Sequence, residues 1–354
     1  MKRRLLSVVC IITLILLCIG CSTDKKSTNE KTPSKETASG NGEIKENDFV
    51  IGLSNSYFGN AWRKQMVDSF TAAAEEAKEA GYISDYEVQN GDGTANAQIA
   101  QINSFILSGV DAICICAASP TALNSTIQKA LDAGIIVISF DNVVDMDGVY
   151  NMDYDWLEFG KTQIDFIADR LGGKGNLLAV RGIPGAYVDQ KAYEGWEEGL
   201  KKYPDLKVVQ EVVGEANATK AQDELIKVMA SLPEIDAVLT QGGDSIGVVN
   251  AFTQSGKEFP LIIGDNSAEF INWWLEQDNY ETFSHGATPG CGSAALWVSL
   301  YVLNGYDVPY DMIMEIPSVT IDSVEQYKGL SAGTFVTPEY GKEKVLENII
   351  EPAK

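Results

Sequence analysis

Histidine is nearly absent from this chain of 354 residues, and its absence excludes much chemistry. His285 is the single histidine, so a serine or cysteine triad could use only that residue as its base. A zinc site with several histidine ligands is excluded for the same reason. The phosphate-binding motif GxxxxGK[ST] does not occur, and no GxGxxG follows a strand-like segment. We therefore expect no catalytic, cofactor or metal site, although residue counts alone leave a pair of catalytic carboxylates open.

Basic residues are also scarce relative to acidic ones. The chain has 27 Lys and Arg against 50 Asp and Glu, which gives a formal net charge of -23. A nucleic-acid partner is unexpected because phosphate binding needs a basic face, and a bare anionic membrane surface is disfavoured likewise. Hydrophobic residues make up 45% of the chain, which at this length is enough for two cores.

No apolar run reaches the roughly 20 residues of a membrane-spanning helix. The longest, 5–20, follows the basic start "MKRR" and ends in "LLCIGC", which resembles a bacterial lipobox with Cys21 as the lipidated residue. Cys18 stands where that pattern prefers leucine. We predict a lipoprotein signal peptide over 1–20 and a membrane anchor on Cys21; an uncleaved single-span anchor is the alternative.

Polar, low-complexity sequence follows the signal peptide. Residues 21–47 are rich in Ser, Thr, Lys and Glu with almost no apolar residue, so we predict a disordered tether. Outside the export segment the cysteines are Cys114, Cys116 and Cys291. The first two share one face of a strand-like "ICIC" and are poorly placed for a mutual disulfide. All three are interpreted as small buried hydrophobic residues.

Strand-like and helical patterns alternate regularly after residue 48. Apolar strand segments such as "FVIGLS", "DAICICA" and "GIIVISFDN" lie between amphipathic helices, and a second series of the same rhythm begins near residue 156. Near-continuous apolar strands between helices indicate parallel sheets that are buried on both faces. The pattern predicts two successive α/β units.

Polar residues recur just beyond the carboxyl ends of these strands. Each alone is typical of a helix cap or a turn, yet ligands of open parallel sheets bind in the crevice at this edge. Several such residues at equivalent places in two units favour a shared cleft. They are Asn90, Asp92, Asp141, Asn142, Gln241, Asp244, Asp265 and Asn266.

Three long segments resemble the type I periplasmic sugar-binding proteins of ABC importers. They are "FVIGLSNSYFGNAWRKQMVDSFTAAAEEAKEAGY", "GVDAICICAASPTALNSTIQKALDAGIIVISFDN" and "GKGNLLAVRGIPGAYVDQKAYEGWEEGLKKYPDLKVV". The resemblance covers roughly residues 48–330. Lactose-repressor relatives share the fold but carry a DNA-binding headpiece, where this chain has the export segment and tether.

The resemblance implies an α/β fold of two Rossmann-like domains of the periplasmic-binding-protein type I, with parallel sheets joined by a three-strand hinge. The implied lobes are 48–153 plus 285–315, and 154–284 plus 316–354. Hinge crossings are expected near 152–154, 284–286 and 313–317. A monomer that closes on its ligand is expected.

The resemblance also implies a ligand site, carried over position by position. Aromatic faces would pack on the ligand, and carboxylates would accept its hydroxyl protons. Two positions depart from the family, since Gln190 and Ala192 replace an arginine pair that Arg181 or Lys191 would partly substitute. Trp62 fits both the helix core and the stacking position, and His285 fits a structural or a cleft role. The expected ligand-binding residues are Tyr57, Phe58, Asn60, Trp62, Asp141, Asn142, Asp155, Trp156, Arg181, Gln190, Asp265 and His285.

The expected function is capture of a monosaccharide or polyol outside the cytoplasm and its delivery to the membrane subunits of an ABC permease, with no chemistry. A receptor that hands a sugar or autoinducer-like signal to a sensor kinase or chemoreceptor is the alternative within the fold. An enzyme with a carboxylate pair in the cleft is the alternative from another class.

Overall fold

The computed structural model describes residues 43–338 and 340–354. The predicted signal peptide, the lipidation site Cys21 and the tether up to residue 42 lie outside the described residues. Within the described ranges, no helix is both long enough and apolar enough to cross a bilayer.

Strands and helices alternate along the described chain. The strands are β1 (Val50–Asn55), β2 (Asp85–Asn90), β3 (Ala112–Cys116), β4 (Ile136–Phe140), β5 (Tyr150–Tyr154), β6 (Lys174–Arg181), β7 (Asp205–Val213), β8 (Ala237–Thr240), β9 (Leu261–Ile262), β10 (Ser284–His285), β11 (Asp311–Met314) and β12 (Ser318–Val319). The helices are α1 (Ala61–Glu79), α2 (Ala95–Ser108), α3 (Asn124–Asp132), α4 (Trp156–Leu171), α5 (Tyr187–Leu200), α6 (Ala218–Met229), α7 (Ser245–Ser255), α8 (Ala268–Leu275), α9 (Cys291–Leu303) and α10 (Lys342–Val345), the last continuing in a π turn and a 3-10 turn.

The first lobe is built on a six-stranded sheet in the order β11-β5-β4-β3-β1-β2, with every pair parallel. Successive residues of its central strands feed opposite cores. Cys114 and Cys116 lie in one core with α1 and α9, whereas Ile113 and Ile115 lie in the other with α2 and α3. The apolar run of β3 is therefore buried on both faces, as parallel strands between helices require.

The second lobe repeats this plan with a sheet in the order β7-β6-β8-β9, again parallel throughout. Leu178 and Val180 of β6 face the core formed by α6, α7 and α8, while Leu177 and Ala179 face the core that includes α4. The predicted pair of Rossmann-like domains with parallel sheets is confirmed. The chain passes between the lobes after β5, between β10 and α9, and between β11 and β12.

Helix α1 begins directly at the edge where the first sheet ends. Asn60 is its N-cap, and its side-chain oxygen accepts a hydrogen bond from the backbone N–H of Arg63 at 2.8 Å. Met66 and Phe70 follow at helical spacing and are fully buried. The cap therefore fixes the first turn of α1, which carries Trp62 and Arg63, against the carboxyl ends of the strands.

Two segments differ from the predicted boundaries. Ile44, within the predicted tether, is buried in the first lobe, because it is an apolar side chain in otherwise polar sequence and packs beside the core. The sequence predicts the tail in the second lobe, but Tyr340, Val345 and Ile350 pack into the core of the first. Residues up to Val336 do contact the second lobe, so the tail divides between the two.

Candidate ligand-binding site

A cavity lies between the lobes at the carboxyl ends of both sheets. Its volume is about 90 Å³. The lining residues are Asn60, Trp62, Arg63, Asp141, Asn142, Trp156, Gly182, Ile183, Ala186, Val188, Asp189, Ala216, Gln241, Gly242, Gly243, Asp265, Gly286, Ala287 and Phe335.

Aromatic rings form part of the cavity wall. Trp62 lines the cavity and also packs against the first core, and its indole N–H donates to the carbonyl of Ala287 at 2.8 Å. Trp156 is held edge-to-face between Tyr154 and Phe159, with ring centroids 5.2 and 5.4 Å away. These contacts hold both indoles in place. Trp62 therefore lies both against the core of the first lobe and on the cavity wall.

Asp141 is the carboxylate that the first lobe contributes to the cavity. It follows β4 with a φ of 60°, a left-handed conformation that aspartate tolerates better than most residues. Its Oδ2 accepts a hydrogen bond from Asn142 at 2.7 Å and lies 3.7 Å from the guanidinium of Arg63. No hydrogen bond from the described residues reaches Oδ1. That oxygen is consequently an available acceptor beside the cavity.

Arg63 is a buried cation at the cavity that is absent from the residues predicted to bind the ligand. Its guanidinium donates to Asn55 at 3.3 Å and contacts the Cys116 thiol. Burial works against the charge of Arg63, but the nearby carboxylate of Asp141 favours it, and the pKa of Arg63 stays above its ordinary value. Burial raises the pKa of Cys116 to about 12, so this partner is a neutral thiol. Burial also raises the pKa of Asp141, while Arg63 opposes that rise.

The second lobe contributes a carboxylate that is neutralised within its own lobe. Both oxygens of Asp189 accept hydrogen bonds from Arg181, each at 2.8 Å, in a bidentate pair. Arg181 also stacks over the ring of Tyr193 at 3.9 Å. The side-chain oxygen of Gln241 accepts a hydrogen bond from the N–H of Gly182 at 2.8 Å. Its side-chain nitrogen donates to the backbone carbonyl of Asp189 at 3.2 Å. Asp189 and Gln241 are therefore held by contacts within the second lobe, and the charge of Asp189 is paired.

Asp265 lines the cavity but is largely satisfied by local donors. Its Oδ1 accepts from the N–H and the hydroxyl of Ser267, at 3.1 and 2.6 Å, and its Oδ2 accepts from the N–H of Ser245 at 3.0 Å. These bonds join the starts of α7 and α8. Asp265 thus organises the edge of the second sheet and has less capacity left for a ligand than Asp141 has.

Polar contacts cross from one lobe to the other around the cavity. The amide of Asn60 donates to the carbonyl of Ala216 at 3.0 Å, and the Tyr187 hydroxyl donates to Asp153 at 2.7 Å. Hydrogen bonds therefore join the two lobes directly, which corresponds to a closed form of a two-lobed protein.

The structure brings six of the twelve predicted ligand residues to the cavity and places the other six elsewhere. The six at the cavity are Asn60, Trp62, Asp141, Asn142, Trp156 and Asp265. Tyr57 lines an adjoining cavity that shares Arg63 and Asn142 with the first. Phe58 is 46% exposed and lines neither of them.

Four of the remaining predicted residues have other contacts. Asp155 is exposed and caps α4. Arg181 pairs with Asp189. Gln190 points to a separate groove beside Tyr187. His285 is buried in stacking contact with Phe159. None of these four residues lines the cavity.

His285 has the surroundings of a structural residue. Its ring lies 4.2 Å from that of Phe159, nearly parallel, and its Nε2 is 3.2 Å from the amide nitrogen of Gln163. Since an amide nitrogen can only donate, Nε2 is the acceptor and the proton resides on Nδ1. Burial lowers the pKa of His285 to about 3, so the ring is neutral at physiological pH.

Several lining residues were not predicted as ligand contacts. Asp189 stands one position before the predicted Gln190, a register that the helical pattern did not resolve. Arg63 follows Trp62 in the first turn of α1. Its position close to the end of β1 is the signal in the sequence that could have identified it as a site residue. Phe335 comes from the tail, which has no comparable pattern. Within 43–338 and 340–354, no cluster of three His, Cys, Asp or Glu side chains could hold a metal ion.

Comparison with known proteins identifies the family. Residues 51–307 match the family described as periplasmic binding protein domain, and the chain belongs to it. The structure is similar to that of an ABC transporter solute binding protein from Thermobispora bispora DSM 43833, with 32% identity, a TM-score of 0.80, and coverage of 85% of this chain and 94% of that one.

Curated relatives agree with this assignment. The chain is 28% identical to the xylitol-binding protein of Mycolicibacterium smegmatis over 72% of each chain. It is 26% identical to the ribose import binding protein of Bacillus subtilis, over 74% of this chain and 81% of the relative.

Proposed function

We propose that this protein is an extracytoplasmic solute-binding lipoprotein that captures an uncharged monosaccharide or small polyol and delivers it to an ABC importer. The observation that carries the proposal is the cavity between the lobes, in which two indoles face fixed carboxylate and amide groups. Indole faces suit the C–H surfaces of a polyol, and the carboxylates suit its hydroxyls.

The charges of the cavity support a neutral ligand. The Asp189 carboxylate is balanced by Arg181, and the Arg63 guanidinium is balanced by Asp141. A sugar acid or sugar phosphate would need a free cation, and the nearest one, Arg63, is already engaged. The relatives described as xylitol-binding and ribose-import proteins support the same ligand class.

A thermal-shift screen over pentoses, hexoses and polyols tests ligand capture. A specific ligand should raise the melting temperature with concentration. Asp141→Asn, which keeps the shape and tolerates the left-handed backbone, should weaken binding about tenfold or more. Asp132→Asn is the matched control, because Asp132 is exposed and pairs only with Gln128 on its own helix. Equal ligand shifts in both variants would contradict the assigned site.

Delivery and anchoring have separate tests. Deleting the gene should abolish uptake of the labelled ligand into cells, whereas unchanged uptake would contradict a role in import and favour a signalling receptor. Cys21→Ser should release the protein from the membrane fraction; retention with an uncleaved N-terminus would support a plain spanning anchor instead. Turnover of the ligand by the purified protein would contradict the non-enzymatic assignment.

A further inference from the structure

The tail of the chain forms a fourth passage between the lobes. Val336 is buried in the second core, whereas Tyr340 is buried in the first, so the chain changes lobe between these two residues. The hinge expected for this fold has three crossings, and this tail crossing lies outside it. A segment that is bound to both lobes takes part in any opening of the cleft.

On one side of this crossing, the tail is bonded to the second lobe beside the cavity. Phe335 forms an antiparallel bridge with Ser267. The N–H of Ala268 donates to the backbone carbonyl of Thr334 at 2.8 Å, and the N–H of Val336 donates to the backbone carbonyl of Asn266 at 2.9 Å. The tail thus runs alongside the loop that carries Asp265.

Gln65 binds the same stretch from the first lobe. Its side-chain carbonyl accepts the N–H of Phe335 at 2.8 Å, and its amide nitrogen donates to the hydroxyl of Thr337 at 2.9 Å and to the carbonyl of Phe335 at 3.3 Å. The oxygen and the nitrogen of the Gln65 side-chain amide are therefore both bonded to residues 335–337. Gln65 stands three positions after Trp62 on α1, so the two aromatic residues Trp62 and Phe335 are held on the same wall.

Phe335 is the aromatic residue that this arrangement delivers to the ligand. Its side chain is 6% exposed and lines the cavity together with Trp62 and Trp156. The backbone of Phe335 is bonded to both lobes, which leaves this residue little freedom to move away from the cavity. A ligand with an additional carbon would therefore clash with the ring of Phe335, because the ring cannot move aside.

We propose that Phe335, positioned by Gln65, closes one side of the cavity and sets the size of the sugar or polyol that the site accepts. The proposal rests on the proposed function, since it assumes a ligand of that class. Phe335 is the size-determining contact, and Gln65 acts through it without lining the cavity.

The test compares the dissociation constants of a pentitol and a hexitol, and of a pentose and a hexose, by titration calorimetry. Phe335→Ala should shift the ratio of the constants toward the larger member of a pair by about tenfold, as expected for one carbon in a tight pocket. Phe335→Leu, a smaller change that retains a large apolar side chain, should shift it in the same direction by less. Phe259→Ala is the control, because Phe259 contacts Trp273 and does not line the cavity.

Gln65→Ala should shift the same ratio in the same direction, whereas Gln222→Ala should not, since Gln222 is bonded to Gln254 away from the cavity. A wild-type protein that binds no sugar or polyol would overturn the proposed function. A wild-type protein that binds, with the ratio unchanged in Phe335→Ala and Phe335→Leu, would overturn this inference alone. Loss of affinity without a change in the ratio would likewise show a structural role and overturn it.

Discussion

The side-chain amide of Asn60 lies 3.0 Å from the carbonyl oxygen of Ala216 and donates to it across the cleft. The same side chain caps α1 through its oxygen. The side-chain oxygen of Asn60 therefore bonds within its own lobe, and its side-chain nitrogen bonds to the second lobe. Ala216 has a φ of 51° and follows Glu215 at 56°, so its carbonyl is presented by a loop in an unusual backbone conformation.

Asn60→Asp separates these two roles. Aspartate caps a helix as well as asparagine does, but its second oxygen would face the carbonyl of Ala216 instead of donating to it. We expect ligand binding to weaken by about tenfold, with the closed form less populated in solution scattering. Asn217→Asp is the matched control, since Asn217 caps α6 by the same contact. Equal effects of the two substitutions would contradict a closing role for Asn60.

Asp153 should make stability depend on pH. Burial raises its pKa from 3.8 to about 6, although hydrogen bonds from Tyr187 and Tyr154 oppose the rise. A carboxyl with a raised pKa stabilises the folded state at low pH, and this stabilisation is lost as pH rises toward 6. Between pH 4 and 7, Asp153→Asn should therefore gain about 2 kcal/mol of unfolding free energy relative to the wild type. Urea unfolding at several pH values measures the difference, and parallel curves would contradict it.

His285 should act in the opposite sense. Burial lowers its pKa to about 3, so the unfolded state binds a proton first as pH falls. Stability should decline below pH 6.5 by about 1.4 kcal/mol for each pH unit through this residue. His285→Gln retains an acceptor for Gln163 and removes this dependence. The single histidine also gives one imidazole NMR signal, and a titration midpoint near 6.5 would contradict the buried neutral ring.

Arg63 and Asp141 should be energetically coupled. Their charged groups are 3.7 Å apart, and both side chains are more than nine-tenths buried. Arg63→Met leaves the carboxylate of Asp141 without its cation and should cost about 3–5 kcal/mol of unfolding free energy. Adding Asp141→Asn removes the unpaired charge, so the double variant should lose less than the sum of the single losses. Additive losses in chemical denaturation would contradict the pairing.

Much of the fold could be predicted from the sequence because its physical signal is repetitive. A strand such as β3 is apolar at every position, which only a sheet covered on both faces explains. The place of Asp141 and Asp265 also followed, since carboxyl ends of parallel strands share one edge. These two residues and Trp62 do line the cavity.

The remaining site depended on information that one-dimensional patterns do not contain. Whether Asp189 or Gln190 lines the cavity depends on the rotation of α5, and one residue changes the direction by about 100°. The side chain of Asp155 is used as a helix cap, a role that the sequence permits equally. Phe335 reaches the cavity through a crossing in the tail, which no periodic pattern marks.

Titration calorimetry of the wild-type protein with the strongest ligand from the sugar and polyol screen tests the central claim most directly. The account predicts one saturable site per chain, recovery of the ligand unchanged, and an affinity that falls about tenfold or more in Asp141→Asn but not in Asp132→Asn. Absence of saturable binding by every neutral sugar and polyol, or equal affinity in the two variants, would contradict it.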